Sequence, residues 1–110
     1  MTRFLFRFGY ETPAQRRDNQ EHGWDDECSG AFFVLANDSA QALAWGQEVA
    51  EAVVARQFKE QGCQEVPGWK EDAFAFWIED NPSSDFSSAE LEAMPQVSLR
   101  VLPDFTHWDC

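Results

Sequence analysis

Positive charge and cysteine are scarce in this sequence, and it has no long hydrophobic run. Lys and Arg number 8 against 20 Asp and Glu, a formal net charge of -12. A field of that sign repels polyanions, which argues against charge-driven binding of nucleic acid or an anionic membrane surface and favours basic partners. The longest apolar runs, 31–36 and 73–78, are six residues each, far below the roughly 20 needed to cross a bilayer. Arg7 interrupts the apolar N-terminus, MTRFLFRFGY, so this stretch does not read as a signal peptide.

The three cysteines, Cys28, Cys63 and Cys110, form no C-x-x-C pair, which removes zinc-ribbon and thioredoxin-type sites. Their odd number predicts free thiols in a reducing, cytoplasmic compartment. With enough large apolar residues for a core and no site-forming spacing among the cysteines, the fold is expected to need neither metal nor disulfide. Glycines are scattered, with no G-x-x-x-x-G-K-[ST] or G-x-S-x-G cluster, so no phosphate cradle, nucleophile elbow or cofactor site is expected.

Aromatic side chains are abundant. Ten Phe and five Trp in 110 residues supply enough large apolar surface for one packed domain spanning 1–110. The charge is unevenly placed: thirteen acids face only Arg56, Lys59 and Lys70 in 21–80, whereas Arg3, Arg7, Arg16 and Arg17 make the first twenty residues basic.

Residues 3–8 alternate Phe4, Phe6 and Phe8 against Arg3, Leu5 and Arg7, the period of a half-buried strand. The polar stretch 11–29 reads as a long loop, and the apolar run 31–36 as a covered strand. Asp38 and Gln41 have capping-box spacing, and Gly62 is placed as a terminating glycine. Between them a long helix over about 39–61 is predicted, with Leu43, Gly46, Ala50, Val53, Val54 and Phe58 on its apolar stripe. That phase puts Trp45 on the polar side beside Glu48, where an aromatic needs cover from the chain or from a partner. Phe74, Phe76 and Ile78 alternate with Trp77 in a third strand over 73–79. Ser87 and Glu90 predict a short helix over about 87–93. Val97, Leu99 and Val101 mark a last strand. The expected fold is α+β, a two-layer sandwich of one four-stranded, mostly antiparallel sheet with the long helix across one face.

Candidate chemistry is sparse. His22, Asp25, Asp26, Glu27 and Cys28 lie close together, but tested as a calcium loop starting at Asp18 the segment has Ser29 where a bidentate Glu is required. Asn37-Asp38-Ser39 fits a glycosylation sequon and is better explained as a helix cap. No metal or catalytic site is assigned, and an enzyme is disfavoured. The leading reading is a protein-interaction module, with an inhibitor or immunity-type protein for a basic partner as one version. Its candidate contacts are Arg3, Arg7, Trp77 and Arg100 on the sheet face away from the helix, Trp45, and the acidic run Asp25, Asp26 and Glu27. One alternative is a small enzyme or ligand-binding domain using His22, His107 and the 11–29 loop. Another is self-association through an uncovered sheet face, so monomer and homodimer both stay open.

Overall fold

The computed structural model describes residues 1–24, 28–60, 62 and 75–102. The elements run β1 (Thr2–Tyr10), α1 (Pro13–His22), β2 (Cys28–Ala36), α2 (Ser39–Glu60), β3 (Ala75–Glu79), a 3₁₀ turn (Pro82–Ser84), α3 (Ser88–Ala93) and β4 (Gln96–Ser98). The sheet order is β3-β1-β2-β4. β1 is antiparallel to both β2 and β3, and β2 is parallel to β4. The architecture is the expected α+β sandwich, and no described helix is long and apolar enough to cross a membrane.

The alternation in β1 decides which face α2 covers. Phe4, Phe6, Phe8 and Tyr10 pair across β2 with Val34, Phe32, Gly30 and Cys28, while Phe6 and Phe8 pair across β3 with Ile78 and Phe76. All these positions face one way because side chains alternate along a strand. Their core is closed by Ala42, Gly46, Val49, Ala50, Val53, Val54 and Phe58 of α2.

Two glycines make room for rings. An added Cβ at Gly46 would overlap the ring of Phe6, and one at Gly30 would lie 2.6 Å from Phe8 Cε1. Each phenylalanine therefore fills the space a neighbouring side chain would take. Phe6 also stacks on Phe32, with ring centroids 5.1 Å apart. The hydroxyl of Tyr10 donates to Gln57 Oε1 at 2.7 Å, tying the sheet's end to α2.

The helix caps form as their spacing predicts. Gln41 N–H donates to Asp38 Oδ1 at 2.8 Å, and Asn37 N–H donates to Gln41 Oε1 at 2.9 Å. At the start of α3 the exchange is reciprocal within one pair, Glu90 N–H donating to Ser87 Oγ and Ser87 N–H to Glu90 Oε1, whereas in α2 Gln41 reaches Asn37, one residue before the cap. Gly62, at φ 78°, donates its N–H to Lys59 O.

Four expectations are corrected. Residues 11–29 are not one loop, because α1 occupies their middle. Thr12 and Gln15 form a capping box, Pro13 opens the helix, and Gly23 closes it at φ 69° with its N–H donated to Asn19 O. Periodicity missed this helix because PAQRRDNQEH has no apolar stripe, and it has no extensive contact with another described element.

The last strand ends at Ser98 instead of continuing to 101. Its only described neighbour, β2, ends at Ala36, with Leu35 paired to Ser98, so β2 offers room for Leu99 at most and none for Arg100 or Val101. The chain turns instead, Val101 N–H donating to Ser98 O, with Arg100 at φ 62°.

Trp45 does not sit on the polar side of α2. Ala42 and Val49 belong to the buried stripe, and at 100° per residue they lie 60° and 40° from Trp45. The indole is consequently half-buried and packs on the core's flank. Finally, Cys28 is no free thiol: it is buried and disulfide-bonded. The other two cysteines lie outside the described residues, as does the tail segment carrying His107.

Candidate interaction surface

The second sheet face carries Arg3, Leu5 and Arg7 of β1, opposite Leu35, Phe33 and Ala31 of β2, with Trp77 and Glu79 on β3. It is not uncovered. Leu5 is 1% and Phe33 4% exposed, so the face is covered at its centre, while Arg3 and Trp77 remain exposed at its margins. β3 and β4 lie at opposite sheet edges, and the connection between them brings Asp85 and Phe86 onto Arg7.

Arg7 is the centre of this cluster. Its Nη1 donates to Glu79 Oε2 at 2.9 Å and to Asp85 Oδ2 at 2.7 Å. Its guanidinium carbon lies 5.1 Å from the Trp77 ring centroid and 4.9 Å from that of Phe86, within cation–π range. Arg3 is placed similarly, 4.0 Å from the Phe33 ring centroid, its aliphatic stem serving as cover for an apolar side chain. Trp77 remains 41% exposed, and its Nε1–H lies 3.4 Å from Glu79 Oε2.

These contacts shift the titrating groups. Burial is the largest single influence on Arg7 and by itself favours the neutral form, but the hydrogen bonds and charges of Glu79 and Asp85 together raise its pKa. Glu79 is held below the usual carboxylate range, first by the Arg7 hydrogen bond, then by Asn81 N–H and the Trp77 indole. Glu90 is lowered chiefly by Ser87 N–H.

A carboxyl with a lowered folded-state pKa contributes stability above its ordinary pKa, and loses it as pH falls through the lowered value. In carbon-detected NMR titration Glu79 is expected to titrate below an ordinary glutamate, and Arg7→Met is expected to move its midpoint upward. An unchanged midpoint would show that the guanidinium does not control Glu79.

The remaining candidates are distributed differently. Arg100 is absent from this face because β4 stops two residues before it. It instead meets Trp45 at the first half of α2, where both line a hollow of about 200 Å³ with Gln41, Ala44, Glu48 and Leu99. Asp25, Asp26 and Glu27 lie outside the described residues. His22 is exposed and stacked on the half-exposed Trp24 at 4.4 Å between centroids. Cys28, being disulfide-bonded, is not available as a thiolate ligand or nucleophile.

Sequence reasoning missed Glu79, Asp85 and Phe86 as partners of Arg7. Asp85 is 78 residues away, and no local pattern announces such a pair. Comparison with protein-family models, curated proteins and solved structures finds no match for this chain.

Proposed function

We infer that the chain is a binding module for a basic protein, acting through the acidic β3–β4 connection with the exposed indole of Trp77 as an apolar anchor. The observation that carries this reading is how the cations are used. Arg7 is ion-paired with Glu79 and Asp85, Arg56 with Glu60 at 2.9 Å, and Arg3 lies over Phe33. The field around the second face is then set by carboxylates: Asp80, Glu90 and Glu92 are exposed, and no Lys, Arg or His occurs from 80 to 99. Carboxylates around a partly exposed Trp suit a basic surface carrying an apolar contact. Neutralising a basic enzyme, as an inhibitor or immunity protein does, is one version of this activity. The disulfide at Cys28 favours an oxidising compartment over the cytoplasm expected from cysteine number.

Immobilised protein is expected to retain a basic protein from lysate at low salt and to release it at high salt. The pair Asp80→Lys, Glu92→Lys, at exposed positions that hold no printed contact, is expected to abolish that retention without lowering the melting temperature, and Trp77→Ala is expected to weaken it. Retention of the same proteins by wild type and both variants would remove this reading.

A further inference from the structure

The geometry points to a second, independent site: the hollow between α2 and the turn after β4 binds a small zwitterion of the size of an apolar α-amino acid. Its base is one helix face, because Gln41, Ala44, Trp45 and Glu48 recur at the spacing that brings side chains together on a helix. Its opposite wall is Leu99 and Arg100, placed there when β4 ends and the chain turns back.

Among the described residues, the site holds one unpaired charge of each sign. Arg100 and Glu48 line the same hollow, yet among the described residues neither forms an ion pair with the other or with any other group. Gln41 has its amide oxygen engaged by Asn37 N–H, which leaves its NH₂ as the available end. Trp45, Ala44 and Leu99 supply apolar surface between these polar groups. An ammonium at Glu48, a carboxylate at Arg100 and an apolar side chain against the indole would match every element.

Charge selects among ligands. A simple carboxylate would be repelled by the protein's net -12, and a simple cation by Arg100. A zwitterion carries no net charge into either field. Volume points the same way, since about 200 Å³ lies below the roughly 300–1,000 Å³ typical of pockets for drug-sized ligands.

Two local costs converge on this junction. Arg100 holds a left-handed backbone, φ 62°, which is uncommon for a residue with a Cβ. Trp45 Nε1 is buried with no acceptor among the described residues, an arrangement rare in native structures. Backbone strain of this kind concentrates at ligand sites.

The test uses the full chain labelled with ¹⁵N, the Trp45 indole resonance assigned by its loss in Trp45→Phe. L-leucine and L-phenylalanine are the probes, with N-acetyl-L-leucine and L-leucinamide each lacking one charge. Either amino acid is expected to shift the resonance saturably below about 10 mM, with each single-charge analogue at least about tenfold weaker. Arg100→Gly is expected to relieve the backbone and keep or raise the melting temperature while weakening both amino acids by a similar factor. Glu48→Gln is expected to weaken L-leucine but leave N-acetyl-L-leucine unchanged, since that analogue has no ammonium to lose. Absence of a saturable shift, or equal binding of the amino acids and both analogues, would overturn the proposal. Neither result bears on capture of a basic protein at the Trp77 face.

Discussion

Phe6→Ala is expected to destabilise the domain by about 3–5 kcal/mol, the usual cost of emptying a buried aromatic site. Phe6 is 0% exposed and stacked between Phe32 and Phe76, so few neighbours can close the space it leaves. Its upper wall is the backbone of α2 at Gly46, where an added methyl overlaps the ring. Gly46→Ala alone is expected to cost about 1–3 kcal/mol through overpacking, although alanine favours a helix by about 1 kcal/mol over glycine.

The two costs do not add. With the ring gone, the methyl at 46 enters vacated space, so the double variant is expected to be more stable than the sum by about 0.5–3 kcal/mol. Urea denaturation of the four proteins in the cycle measures this coupling. Additive losses would mean that α2 does not lie over Phe6 in the phase described, and the placement of Trp45 would then fail with it.

Reduction of the disulfide at Cys28 is expected to lower stability by about 2–4 kcal/mol. For a chain of this length that is a fall in melting temperature of roughly 10 °C or more. The cross-link acts mainly by restricting the unfolded chain, and it starts from a buried position in β2 paired with Tyr10. Thiol titration in denaturant is expected to find one free cysteine of the three before reduction and all three after it. A full complement of free thiols in the untreated protein would remove the cross-link, and with it the case for an oxidising compartment.

Much of the local structure could be read directly. The Phe alternation in β1, the length and both ends of α2, and the capping box of α3 depend on residues within a few positions of one another. Gly46 at a close helix–sheet contact was legible for the same reason, as a glycine inside an apolar stripe. Helix α1 marks the boundary of that reading. Its cap residues Thr12, Gln15 and Gly23 were visible, but periodicity looks for an apolar face and this helix has none.

What only the tertiary structure decided involves partners distant in sequence. The order β3-β1-β2-β4 sends the β3–β4 connection across the second sheet face, covering the centre of a surface that alternation alone left open. That crossing brings Asp85 to Arg7, and it turns a pair of candidate binding arginines into internal counter-ions and ring covers. Strand alternation also continues through Leu99 and Val101, yet β4 stops one position before the end of β2, which moves Arg100 from the sheet to the side of Trp45. Periods and caps report the geometry of one segment with itself. Ion pairs, strand ends and hollows are set by which segments meet, and that choice is made by the packing of the whole core.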